Sequence, residues 1–333
     1  MTGGRLVMRR TFTRGVCTAL ALLALGVALA ACGSSKSSST GSSTTSSSTS
    51  STAAKPASSG PGVGKPAVTI GDKNFAEENI LGQLYTQALQ AKGYTITLKE
   101  NVGSSEIIYK ALTSGQIEMY PEYTGTLLTA IANDTKPPSS AQETYNLAQA
   151  FVKKHGFVLL QQTPFYDADG LATTKAFAKA NGLTTIADLS KLKSVSYGGP
   201  AENRTRYDGL VGLQEVYGLH NLQFTPLAEG LNYKALDSGQ VKVATIFTTD
   251  PQLQSGKYTV LTDTKKLFGF QNVAPVVKKS LLTSEGPAFE QTLDKVSALL
   301  TLPAIIKMNA AVQLDQQSPT SVAHAFLAAN GLA

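Results

Sequence analysis

Two eight-residue segments, YKALTSGQ at 109–116 and YKALDSGQ at 233–240, match at seven of eight positions and lie 124 residues apart. Each reads as a helix end, a glycine turn at Gly115 or Gly239, and then a run suited to a strand, IEMYPEY or VKVATIF. Glycine fits a helix C-terminus because it adopts the left-handed backbone at little cost. Helix–glycine–strand junctions reuse this chemistry, so convergence is one reading of a match this short. The other is a chain of two similar α/β lobes, with this unit at the equivalent place in each. Extended without gaps, the repeat sets Tyr123 opposite Phe247, Thr126 opposite Asp250 and Tyr120 opposite Ala244. Each lobe then offers an aromatic near the carboxyl end of its strand, the end at which open α/β sheets bind ligands. Facing strand ends on two lobes make a cleft, the default place for a small molecule.

The rest of the body alternates in the same way. Val68–Ile70 predicts a strand, and Glu77 to Lys92 a helix with Ile80, Leu84 and Ala88 on one face and Gly93 as its terminator. Tyr94 to Lys99 alternates as a half-buried strand would. Ser140 and Glu143 predict a capping box for a helix ending near His155 and Gly156, with strands at Phe157–Leu160 and Leu171–Thr173. Such alternation favours α/β architecture with largely parallel sheets.

The N-terminus bears on where the chain works. Arg5, Arg9, Arg10 and Arg14 precede an apolar run, Gly15 to Ala31, that stops at Leu-Ala-Ala-Cys. A basic segment, an apolar segment and small residues before a cut predict a secretory signal over residues 1–31 rather than a membrane anchor, although the run is near the lower length limit for spanning. The Leu-Ala-Ala-Cys end resembles a bacterial lipobox, which implies that Cys32 carries lipid, and Arg9-Arg10-Thr11-Phe12 resembles a twin-arginine export signal. Residues 32–66, rich in Ser, Thr, Gly and Pro, lack the apolar side chains needed to offset ordering entropy and read as a tether.

Losing residues 1–31 removes four of the 29 basic side chains and no acid, leaving 25 against 23, or +2 rather than +6. Nothing in that balance argues for nucleic acid. With Cys17 in the signal and Cys32 taken by lipid, the body has no thiol for a disulfide, a nucleophile or a metal. His155, His220 and His324 show no metal-ligand spacing, and no hydrolase, zinc-protease or phosphate-loop motif occurs. A carboxylate pair such as Glu122 and Asp169 is what remains for catalysis, so the chain is expected to be no enzyme and to need no cofactor.

Four places could carry recognition. Lys73, in Gly71-Asp72-Lys73-Asn74-Phe75 directly after the first strand, could project a charge over the cleft, or be a solvated loop lysine. Thr124-Gly125-Thr126 offers hydroxyls and free N–H groups at a helix start, with N-cap duty the plainer role for Thr124. Arg206, in Glu202-Asn203-Arg204-Thr205-Arg206, could grip a carboxylate with two parallel hydrogen bonds, or sit in an ion pair with Asp208. Tyr123 and Phe247 could face a cation from opposite lobes, while Tyr120 is assigned to packing.

GDKNFAEENILGQL, IEMYPEYTGT, ENRTRYDGL and NVAPVV resemble the substrate-binding proteins of osmoprotectant ABC importers, over essentially residues 67–332. The resemblance implies an α/β, two-lobed type II periplasmic-binding-protein fold with a ligand cleft between lobes that close on a hinge. It implies a compatible solute such as glycine betaine, carnitine or choline, whose quaternary ammonium sits in an aromatic cage. The carboxylate of a betaine would fall to Lys73, Thr126 and Arg206, with Asn74 alongside. It also implies an ABC permease as partner and a likeness to monomeric receptors.

Two cage positions depart from the family's tyrosines. Asp169 stands at one and Gln271 at another, while Tyr123 and Phe247 keep aromatics at the remaining two. Tyr166 or Phe270 could compensate. Asp169 could restore attraction by charge or turn the pocket toward a different solute: an amino acid derivative, a polyamine, or a polyol or aromatic compound. The expected division is lobe 1 at 67–168 plus 272–333 and lobe 2 at 169–271, hinged near 164–170 and 271–275. A purely structural lipoprotein would instead have a collapsed cleft.

Overall fold

A computed structural model of the chain describes residues 59–333. The signal, Cys17, Cys32 and most of the Ser/Thr-rich tract lie outside the described residues. Among the described residues ten strands follow in chain order: β1 (Val68–Gly71), β2 (Ile96–Lys99), β3 (Met119–Tyr123), β4 (Phe157–Leu159), β5 (Asp169–Thr174), β6 (Val195–Gly199), β7 (Leu222–Pro226), β8 (Val243–Phe247), β9 (Tyr258–Leu261) and β10 (Val273–Lys278). They form two five-stranded sheets, ordered β2-β1-β3-β10-β4 and β7-β6-β8-β5-β9.

The repeat explains the correspondence between the sheets. After the helix Ser105–Thr113, Gly115 takes φ +76°; after the helix Asn232–Asp237, Gly239 takes φ +75°. The same bonds close both turns: Gly115 N–H to the Leu112 carbonyl and Gly239 N–H to the Leu236 carbonyl, each 3.1 Å. Ser114 and Ser238 each donate a hydroxyl to the alanine carbonyl three residues back, at 3.2 Å. The strands that follow, β3 and β8, hold the same station. Each runs parallel to the second strand in the order of its sheet, β1 or β6, and antiparallel to one further strand, β10 or β5.

Those antiparallel partners correct the expectation of largely parallel sheets. β10 runs against β3 and β4, and β5 against β8 and β9, so half of the pairings in each sheet are antiparallel. Both reversed strands begin where the chain has just crossed from the other sheet, so they enter from the cleft side. The two crossings lie side by side: Tyr166 bridges Asn272 in antiparallel register, and the Asp167 N–H donates to the Gln271 carbonyl at 3.0 Å.

Each sheet buries both faces, and the two-residue period of a strand assigns the sides. In β10, Val273 and Val277 join a core with Ile80, Leu84 and Phe289, while Ala274 and Val276 face Ile108, Leu112 and Tyr120. In the second sheet Leu171 and Val243 face one side and Ala172, Ala244 and Ile246 the other. The first helix spans Ala76–Ala91, with Gly93 at φ +85° just beyond it, and buries Ile80, Leu84 and Ala88 as its spacing predicts. The Ser140 cap is half of a box. Ser140 accepts from the Glu143 N–H at 3.1 Å, but the Glu143 carboxylate returns to the Ser139 N–H at 2.6 Å.

Candidate ligand-binding cleft

The carboxyl ends of β1, β3, β6 and β8 converge between the sheets, as doubly wound topology requires of a ligand site. A small cavity of about 50 Å³ opens there. Its wall includes Lys73, Asn74, Tyr123 and Thr126 from the first lobe's strand ends, and Asp169, Arg206 and Phe247 from the second's. Seven of the eight ligand-facing candidates therefore share one wall. A larger cavity of about 500 Å³ adjoins it, and Asn74, Phe75, Asp167, Glu229 and Phe247 line both.

Gln271 is the exception. Its side chain lies behind Thr126, where its amide oxygen accepts from the Thr126 N–H at 2.8 Å and the Thr126 hydroxyl at 3.2 Å. Gln271 thus positions Thr126 and does not face the small cavity. Close approach of the 270–271 backbone also explains Gly125. A β-carbon there would fall 2.6 Å from the Phe270 carbonyl oxygen and 2.7 Å from the Gln271 side chain. Thr124 does not cap the helix; it lies within its first turn, its hydroxyl 3.5 Å from the Phe270 carbonyl.

Lys73 corrects both of its expected roles. It is 2% exposed, so it is neither a solvated loop lysine nor a free charge over the cleft. Its ammonium pairs with Glu122, which is fully buried and also accepts from the Tyr120 hydroxyl at 3.0 Å and the Tyr123 N–H at 2.7 Å. Glu78 stands 3.9 Å from the same ammonium, its carboxyl pushed up by burial. A buried charge needs such pairing, because desolvation of an isolated ion costs several kcal/mol. The ammonium also lies 4.4 Å from the centroid of the Tyr123 ring. Tyr120 packs as expected, and its hydroxyl steadies the carboxylate that holds Lys73.

Arg206 does form a bidentate grip, but on a carboxylate of the protein. Its Nε and Nη2 donate to Glu106 at 2.9 and 2.8 Å, joining the second lobe to the first. Burial alone would raise the Glu106 carboxyl; the Arg206 bonds and charge prevail and bring it down to about 2. The Asp208 carboxylate is taken by the Thr129 hydroxyl at 3.0 Å.

The aromatic wall holds a ring that the sequence reading did not assign. Phe75 stacks on Tyr123 and on Phe247, centroid to centroid 6.1 Å in both cases, at interplanar angles of 29° and 8°. Three rings from two lobes thus stand in file, with Phe75 in the middle. Tyr166 is exposed and Phe270 lines neither of these two cavities. The Tyr123 ring is held by its hydroxyl, which donates to Glu77 at 2.8 Å. Glu77 also accepts from Thr249 at 2.6 Å and Asn309 at 2.7 Å.

Carboxylates dominate the rest of the wall. Burial pushes Asp169 well up, helped by the nearby Asp208 charge and opposed by Arg206. Burial does the same to Asp167, reinforced by Glu77 and Asp250. Glu229 is raised to about 7 and Asp250 to about 6, with burial the largest cause in both. With its lysine and arginine already paired, such a wall is electrostatically short of positive charge. Rings and acids together suit a cation with few or no N–H groups, since aromatic faces attract charge without needing a donor.

A two-lobed α/β chain with strand ends, rings and carboxylates facing a common cleft is a solute-binding protein of the type II periplasmic class. Residues 66–329 match the family described as the substrate binding domain of ABC-type glycine betaine transport systems, and the chain belongs to that family. It is 32% identical over 270 residues to a glycine-betaine-binding protein of Pseudomonas aeruginosa, across 78% of this chain and 86% of that protein. It is 26% identical over 271 residues to an ergothioneine transport permease/ergothioneine binding protein of Helicobacter pylori, across 80% of this chain but 48% of that longer one. A crystal structure of a glycine betaine/carnitine/choline ABC transporter superposes with a TM-score of 0.64 at 25% identity, over 80% of this chain and 99% of the other.

Proposed function

We propose that this protein captures a small quaternary-ammonium solute, of the glycine betaine, carnitine or choline kind, and hands it to an ABC permease. The observation that carries this reading is the file of Phe75, Tyr123 and Phe247 rings beside Asp167, Asp169 and Glu229. A trimethylammonium group cannot donate hydrogen bonds, so ring faces, and carboxyl groups whose ionisation a bound cation would favour, are its natural partners; each well-desolvated ring contact contributes about 2 kcal/mol. A betaine carboxylate would lie against Thr126 and Arg206, the Lys73 charge being taken by Glu122. It would compete with Glu106 for the Arg206 guanidinium, whose planar fork suits either carboxylate.

Lobe 1 comprises 67–168 and 272–333, lobe 2 comprises 169–271, and the hinge lies in the crossings near 164–170 and 271–275. Solute favours the closed form only through its added contacts with both lobes. The role is binding, with the solute released unchanged and no residue assigned a catalytic step. Export by the 1–31 signal, lipid on Cys32 and the 32–66 tether would hold a monomeric receptor at the outer face of the cell membrane, within reach of its permease.

Calorimetric titration with glycine betaine, carnitine, choline and proline tests the reading. Heat and a raised Tm are expected with at least one of the three quaternary solutes. No response to any of them would remove the proposed substrate class.

A further inference from the structure

Glu77 stands behind the aromatic wall and has no part in the solute contacts given above. It falls in the first turn of the helix Ala76–Ala91, directly after Phe75, where free N–H groups and the helix dipole favour a negative charge. The side chain is buried. One carboxylate oxygen accepts from the Tyr123 hydroxyl at 2.8 Å, the other from the Thr249 hydroxyl at 2.6 Å and the Asn309 amide at 2.7 Å. The Asn309 nitrogen also lies 3.3 Å from the Thr249 carbonyl, an acceptor, so the N–H₂ is the end that faces Glu77.

Both oxygens of Glu77 therefore meet donors, an arrangement that suits an ionised carboxylate. Burial raises this carboxyl, and the Thr249, Asn309 and Tyr123 bonds and the Lys73 charge oppose it. The neighbouring acids are less well provided. Asp167 takes its bonds on one oxygen, from the Thr249 N–H at 3.0 Å and the Thr248 hydroxyl at 3.3 Å. Asp250 does the same, from the Phe247 N–H and the Tyr233 hydroxyl at 2.8 Å each.

A phenol that donates to a carboxylate gains electron density on its ring, because hydrogen bonds polarise the groups they join. Cation–π attraction grows with that density. The Lys73 ammonium lies 4.4 Å from the Tyr123 centroid, but Glu122 answers its charge. Glu77 itself forms no ion pair among the described residues. A cation in the cleft is the group that would answer it.

We propose that Glu77 is a specificity-determining positioning residue. It fixes the Tyr123 ring in the wall and, through the hydroxyl, makes that ring prefer a cation to an uncharged group of the same shape. Its Thr249 bond comes from the second lobe, so the support is complete only when the lobes meet. The inference rests on the quaternary-ammonium reading and deepens it, by assigning what tells a trimethylammonium from a tert-butyl group.

The test compares choline with its uncharged isostere, the alcohol that carries a tert-butyl group in place of the trimethylammonium. Wild type, Glu77→Gln, Tyr123→Phe and the double variant are titrated with choline by calorimetry, and the alcohol is read by its displacement of choline. In Glu77→Gln the amide keeps an oxygen for Thr249 and Asn309 and turns its N–H₂ to the Tyr123 hydroxyl, which can accept. The charge goes while the bonds stay. The choline-to-alcohol affinity ratio is expected to fall about tenfold in Glu77→Gln, the order of one cation–π contact. In Tyr123→Phe it should fall about threefold, since the charge remains but loses its path to the ring. The double variant should match Glu77→Gln within about twofold, because the two residues act as one unit.

An unchanged ratio in Glu77→Gln, or equal losses of choline and alcohol, would overturn the inference and leave Glu77 as packing support. Additive losses in the double variant would overturn it as well, since the charge would then act without the ring. Should Glu77→Gln not fold, Tyr123→Phe decides: a lowered ratio supports the inference and a wild-type ratio overturns it. Wild type that binds no choline removes the quaternary-ammonium reading and this inference with it. Wild type that binds choline, with the ratio unmoved by either substitution, removes the inference only.

Discussion

Phe75 offers the sharpest perturbation of the aromatic wall. Its ring meets Tyr123 and Phe247 at 6.1 Å each and packs, half-buried, against the first lobe's core. Two ring pairs contribute about 0.5–1.5 kcal/mol apiece beyond area burial, so Phe75→Ala should lower stability by about 1–3 kcal/mol. One ring withdrawn from a partly desolvated cation forfeits about 1–2 kcal/mol. That is about a 5- to 30-fold rise in the Kd of a quaternary solute. Phe75→Leu separates the two effects: it restores most of the apolar volume but has no π face. Stability should therefore largely recover in Phe75→Leu while the loss of affinity persists. Choline titration by calorimetry, with Tm read on the same samples, measures both quantities. Wild-type affinity in Phe75→Leu would refute the reasoning, because the ring would then be packing alone.

Glu106→Gln should free Arg206 for a ligand carboxylate, strengthening glycine betaine about two- to fivefold on the scale of a half-exposed ion pair. Choline, which lacks a carboxylate, should not change; parallel shifts in a competition titration would count against the competition. Gly125→Ala drives a β-carbon into the Phe270 carbonyl and the Gln271 amide. Overpacking of about 1–3 kcal/mol should lower Tm by about 2–10 °C, and an unchanged scan would refute the close approach. Asp72 and Glu229 are raised to about 7 and Asp250 to about 6, all chiefly by burial. Carboxyls raised on folding contribute stability that is present below their unfolded values near 4 and lost as pH rises through 6 to 7, so ligand-free Tm should fall across that window. Choline affinity should move the opposite way, rising about threefold or more from pH 5.5 to 7.5 as Asp250 and Glu229 ionise. Tighter binding at pH 5.5 would contradict the electrostatic part of the site.

Much of the frame was legible because its cues are local. The duplicated helix–glycine–strand unit carries its own turn bonds, so it sets Tyr123 and Phe247 at matching strand ends with no help from distant contacts. What escaped depends on chain segments far apart. Lys73 meets Glu122 across 49 residues, and Arg206 meets Glu106 across 100, and no spacing rule links such positions. Phe75 sits in a loop, where neither helical nor strand period marks a ring for a role. The antiparallel halves of the sheets leave no mark in the sequence because a β-branched run carries no sign of its direction; the crossings impose it. Family likeness alone points Gln271 at the wall, and the structure gives it Thr126 to hold instead.

A crystal structure of the protein grown with glycine betaine tests the central claim most directly. The expected result is a quaternary nitrogen within about 6 Å of at least one of the Phe75, Tyr123 and Phe247 centroids, with the solute carboxylate on Thr126 and Arg206 and Glu106 displaced. Solute bound away from all three rings, or bound with the Arg206–Glu106 pair intact and its carboxylate facing water, would contradict it.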